Sequence, residues 1–179
     1  MEDKLLITPA PHITSKNTVR GQMLDVVIAL VPASIAAVVI FGVRSLWVIL
    51  ASLVSAVAAE AIYQKLLKKP LTINDMSATV TGLLLALTLP PGVPIWVPII
   101  GSAFAIVIAK QIFGGLGTNF INPALAGRAF VLAAWPLHMT HDWVTPMGYD
   151  ALTGATPLVA FNSTGRTGLT LKELFLGLR

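Results

Sequence analysis

The 179-residue chain is 55% hydrophobic and only 11% charged, with a mean hydropathy of +0.81, beyond what a soluble domain of this size needs to fill a core, so lipid is the expected solvent. It contains no cysteine, which excludes a thiolate-held iron–sulfur cluster and a disulfide, so any redox role requires another cofactor. The net charge of +4 does not indicate a nucleic-acid partner, because the basic residues are scattered between apolar runs rather than gathered on one face.

The first residues, Met1-Glu2-Asp3-Lys4, lack the basic region followed at once by an apolar core that a cleaved signal requires. Residues 1–23 are therefore expected to form a cytoplasmic segment before an anchor that is retained. Val26–Val43 is long enough to cross the hydrocarbon core as a first span, with Pro32 inside it, and Leu46–Leu67 follows as a second, ending among Lys65, Lys68 and Lys69. Met76–Leu89 is apolar but short and stops at Pro90-Pro91-Gly92-Val93-Pro94, which cannot continue a helix. Ile95–Ile112 is a fourth span, closed by the glycine-rich run Phe113-Gly114-Gly115-Leu116-Gly117. The fifth, Ala124–Leu137, is again short and carries Arg128. The third and fifth are the candidates for discontinuous elements, which often line a cavity in transport folds.

The expected fold class is thus an all-α polytopic membrane protein, with a five-segment membrane domain over residues 24–138 and an outer polar segment over 139–179. Orientation follows from basic residues. Lys4, Lys16 and Arg20 precede span one, Lys65, Lys68 and Lys69 follow span two, and Lys110 ends span four, so these seven belong to the cytoplasmic side and the region after His138 to the outer face. Within that region Leu171–Leu178 has the spacing of one helical face. No internal repeat is visible, and the odd number of spans implies that this is one half of an inverted-repeat transporter-like fold whose second membrane half is absent.

Several ionisable residues lie in or beside the apolar runs. Asp25, Asp75 and Lys110 fall at span ends, where solvation or snorkelling is the ordinary explanation. Glu60 and Arg128 lie deeper and are expected to form a packing salt bridge or to contact a bound cofactor or phosphate, with ion conduction behind both. His138 and His141, three apart and without cysteine nearby, fit an interfacial loop better than a metal site. Trp47, Trp96, Trp135 and Trp143 fall near span ends, as an interfacial belt does.

Two motifs carry chemistry. In Asp150-Ala151-Leu152-Thr153-Gly154-Ala155-Thr156-Pro157, Pro157 biases Thr156 to an extended conformation and the small neighbours leave its hydroxyl accessible. Taken as four letters, Thr-Gly-Ala-Thr is more economically an ordinary turn. The second motif, Ala109-Lys110-Gln111-Ile112-Phe113-Gly114-Gly115-Leu116-Gly117-Thr118-Asn119-Phe120-Ile121-Asn122-Pro123-Ala124, follows a span rather than a strand and matches no nucleotide loop. Its glycines suit close helix packing or a sharp re-entrant turn, with Asn119 and Asn122 bonding exposed backbone.

Together, and in this order, the two motifs resemble the D subunit of Rnf and the related B subunit of Nqr, and the short N-terminal segment with Pro9-Ala10-Pro11-His12-Ile13 favours the Rnf form. The resemblance implies that FMN is joined covalently through a phosphoester to Thr156, with Asp150, Thr153, Gly154 and Ala155 completing the motif read by a flavin transferase. Ala151 departs from the glycine usual after that Asp. The resemblance allows a second, non-covalent riboflavin, and contact of Arg128 with a flavin or phosphate. It implies a multi-pass protein of the cytoplasmic (inner) membrane, in a complex that couples ferredoxin and NAD to Na+ or H+ translocation. Partners would be other membrane subunits, including a second flavin carrier. Two further readings are a transporter or channel half without redox cofactor and a structural component that seats redox partners.

Overall fold

The computed structural model describes residues 18–144. Thr18 opens the first helix, accepting a hydrogen bond on its side chain from Gly21 N at 3.2 Å, the usual way to satisfy a free N–H at a helix start. Helix α1 runs Val19–Phe41, starting earlier than the apolar run because the polar turn around Arg20 is already helical under this cap. Pro32 is accommodated inside it. No residue of α1 is buried; Ile28, Ile35 and Val39 are each more than half exposed. A 23-residue apolar helix with no buried face is stable in lipid and not in water.

Only Gly42, at φ 81°, separates α1 from α2, Val43–Leu66, so the connection between the first two spans is a single-residue hinge and Arg44 lies in the first turn of α2. Both helices are long and apolar enough to cross a membrane. A 3-10 turn, Ile73–Asp75, leads into α3, Ser77–Thr88. At 12 residues α3 is about 18 Å long, short of the roughly 30 Å hydrocarbon core. The chain beyond it, Pro90 and Pro91 included, is buried, the circumstance in which irregular backbone is tolerated at membrane depth. Helix α4, Trp96–Phe104, passes into a π-helical stretch, Ala105–Gln111. Helix α5 covers Pro123–Ala134 and α6 covers Pro136–His141.

Among the described residues the fold is therefore all-helical, α3 lying at its centre against α1, α2, α4 and α5. Packing in lipid relies on small residues and interhelical hydrogen bonds, since lipid is as apolar as leucine. Ser52 Oγ donates to the Gly82 carbonyl at 2.7 Å and shares a 2.7 Å hydrogen bond with Ser102 Oγ, tying α2, α3 and α4. Where α4 meets α5, a Cβ on Gly127 would stand 2.8 Å from the Gly101 carbonyl oxygen, so the helices approach as far as glycine permits. Trp96 and Trp135 meet edge to face, 4.9 Å between centroids. His138 Nδ1 lies 2.7 Å from Asp142 Oδ2, so this histidine is turned to a carboxylate beside it.

Candidate functional site

The chemistry within the described residues gathers where α2 ends, α3 begins and the π-helical stretch closes. Glu60 is wholly buried on α2, and Lys110, on the π-helical stretch, is 2% exposed. Their side chains meet at 2.8 Å, Lys110 Nζ donating to Glu60 Oε1. Lys110 Nζ also donates to Ser77 Oγ at 2.5 Å, and Ser77 Oγ donates to Asp75 Oδ1 at 2.6 Å. A continuous line of polar contacts thus joins the two acids through a lysine and a serine. The same Glu60 oxygen accepts from Gln111 Nε2 at 2.7 Å and from Gln64 Nε2 at 3.2 Å. Lys110 is thus not a lysine snorkelling at a span end. The π-helical turn directs both Lys110 and Gln111 inward, where an α-helix places neighbours roughly 100° apart. With Lys110 paired inside the fold, it no longer counts among the basic residues that set orientation.

Glu60 Oε2 is buried and has no hydrogen-bond partner among the described residues, although buried polar atoms are nearly always satisfied. Beside it lies a polar cavity of about 270 Å³ lined by Glu60, Gln64, Thr72, Asp75, Gln111 and Gly115. A second cavity, of about 140 Å³, is lined by Ser77, Thr81, Lys110, Asn119 and Asn122 together with apolar residues.

The glycine-rich turn forms one wall. Gly114, Gly115 and Gly117 all have φ near +100°, a region that side chains disfavour. This lets the chain reverse, with Gly115 N donating to the Lys110 carbonyl at 3.1 Å. With its amide nitrogen facing the turn, Asn119 donates to the carbonyls of Lys110 and Gly115 at 3.1 Å each. Asn122 Oδ1 caps α5, accepting from Ala124 N at 3.0 Å. Both asparagines therefore hold backbone, as expected from the motif.

Glu60 fulfils the expectation of a packing salt bridge. Arg128 is exposed on α5 and forms no ion pair among the described residues. Asp150, Thr153, Gly154, Ala155 and Thr156 lie outside the described residues, as does the Leu171–Leu178 stretch. The Lys110 pairing, missed from sequence, lies 50 residues from Glu60 along the chain, and a buried acid needing a countercharge was the signal that could have found it.

A profile of the NQR2, RnfD, RnfE family matches residues 6–179. The chain belongs to that family. Among its relatives, the D subunit of the Na(+)-translocating ferredoxin:NAD(+) oxidoreductase complex of Acetobacterium woodii is 50% identical over 99% of this chain and 56% of its own length. The D subunit of the proton-translocating ferredoxin:NAD(+) oxidoreductase complex of Clostridium ljungdahlii is 41% identical over 97% of this chain and 55% of its own. The D subunit of an ion-translocating oxidoreductase complex from Aliivibrio salmonicida is 35% identical over 94% and 57%, respectively. The chain spans about half the length of the curated relatives it matches. Family membership together with the two long apolar helices makes it a membrane protein, and the glycine-rich turn that walls the polar cavity lies within the matched region.

Proposed function

We propose that this chain is part of the D subunit of an ion-translocating ferredoxin:NAD oxidoreductase complex of the Rnf type, and that it carries FMN on Thr156 in the electron path coupled to Na+ or H+ translocation. The observation that carries the reading is 50% identity along 99% of the chain to a protein so described, with the Asp-x-x-Thr-Gly-Ala-Thr motif in place at Asp150–Thr156. The flavin supplies the redox chemistry when bound; the chain supplies position and a medium that excludes water. Five membrane segments, two of them interrupted, with the N-terminus in the cytoplasm and Thr156 on the outer face of the inner membrane, complete the proposal. The short α3 and the buried proline loop after it support the interruption. Other membrane subunits, including a second flavin carrier, and a flavin transferase are the partners.

The polar cavity beside Glu60 fits a ligand that brings hydrogen-bond donors, because Glu60 Oε2 is an acceptor without a partner among the described residues. A non-covalent riboflavin meets that need through its ring N–H and ribityl hydroxyls. The test of the whole reading is in-gel flavin fluorescence under denaturing conditions after co-expression of the full-length protein with a flavin transferase. Wild type is expected to give a fluorescent band and Thr156→Ala a dark one. A dark wild-type band, with the transferase active on another substrate, overturns the covalent-flavin reading. Flavin released by acid from the native Thr156→Ala protein reports the non-covalent site separately.

A further inference from the structure

We propose that the outer surface where α2 meets α4 is a groove for one phospholipid with an anionic headgroup, seated with its phosphate at Lys65. An apolar groove of about 360 Å³ runs there, lined by Ala51, Val54, Ser55, Ala58, Ile62 and, from α4, Ala103. It is a built feature rather than a gap between loosely packed helices. Ser55 Oγ donates to the Ile99 carbonyl at 2.8 Å, which fixes the two walls against each other, while the small residues of α2 leave the channel between them.

Its length and its ends select the occupant. From Ala51 to Ile62 the groove follows α2 for about 16 Å, at roughly 1.5 Å per residue. That is half of a hydrocarbon core of about 30 Å, the depth of one leaflet. The next position up the same helical stripe is Trp47, whose bulky ring is exposed and ends the run of small side chains. At the other end, Lys65 continues the stripe one turn beyond Ile62, with Lys68 just past the helix end.

These lysines are available for a phosphate. Among the described residues the only ion pairs are Glu60–Lys110 and His138–Asp142, so neither Lys65 nor Lys68 has a carboxylate partner there, while Lys69 packs over the Tyr63 ring, 5.5 Å from its centroid. An acyl chain in an apolar channel and a phosphate against basic residues at its mouth are the two halves of an anionic phospholipid. A zwitterionic lipid also carries a phosphate, but its headgroup ammonium cancels the charge, so only an anionic headgroup gains net attraction from the lysines.

Native mass spectrometry of the full-length protein in detergent tests this, by titration with phosphatidylglycerol or phosphatidylcholine of identical acyl chains. Wild type is expected to retain one phosphatidylglycerol in preference to phosphatidylcholine. Lys65→Gln should lower phosphatidylglycerol retention about five-fold, as expected for one basic residue at an anionic surface, and lower phosphatidylcholine retention less. Ala58→Phe, on the exposed face of α2, should lower retention of both lipids without lowering the melting temperature. Equal retention of the two lipids, no lipid retained at all as when protein covers the groove, or retention indifferent to Ala58→Phe overturns the proposal.

Discussion

Glu60 and Lys110 neutralise each other in a place neither could occupy alone. Removing one partner of a buried pair leaves an uncompensated charge and typically costs about 3–5 kcal/mol, whereas removing both together costs far less. Lys110→Met should therefore lower the melting temperature of the detergent-solubilised protein sharply, and Glu60→Gln combined with Lys110→Met should recover much of the loss. If the double variant is as unstable as the single one, the pair is not what stabilises this junction. Asn122 does a smaller and separate job at the start of α5. Asn122→Ala removes that cap for about 1 kcal/mol, and a thermal-unfolding shift smaller than that of Lys110→Met checks it.

At the scale of elements, the helices are placed by what they lack as much as by what they carry. Gly127→Ala sets a methyl group 2.8 Å from the Gly101 carbonyl oxygen and 2.9 Å from Ala105 Cβ. Overpacking of this kind costs about 1–3 kcal/mol, so the variant should unfold at lower temperature, and Gly127→Leu lower still. An unchanged melting temperature for both would mean that α4 and α5 part easily. The elements themselves were legible in the sequence. The apolar runs beginning at Leu46, Met76 and Ile95 coincide to within a few residues with α2, with α3, and with α4 plus its π-helical continuation, because hydropathy and proline report on helix ends directly. The one-residue hinge at Gly42 was not legible, since a loop and a tight turn carry the same letters there. Nor was the inward turn of Lys110: a π-helical stretch has no sequence signature, and its partner lies 50 residues away. The proposed flavin tether rests on a motif in a family context, at residues outside the described ones.

For the whole molecule, the proposed orientation gives a direct measurement. The chain has no cysteine, so a single introduced one can be labelled without background. Leu116→Cys, in the exposed glycine-rich turn, should react with a membrane-impermeant maleimide only from the cytoplasmic side, and Ile95→Cys, exposed at the start of α4, only from outside. Reaction of both from the same side removes the proposed crossing between them.

The π-helical stretch Ala105–Gln111 also bears on how stability and activity trade against each other. Such a stretch is an α-helix carrying one surplus residue, a geometry found mostly at functional sites. Deleting the exposed Ile108 offers the helix a route back to regular winding, at the expense of aiming both Lys110 and Gln111 at Glu60. A deletion variant that withstands more heat yet lowers the ion translocation proposed for the assembled complex would mark the surplus residue as one retained for that proposed activity against the interest of the fold.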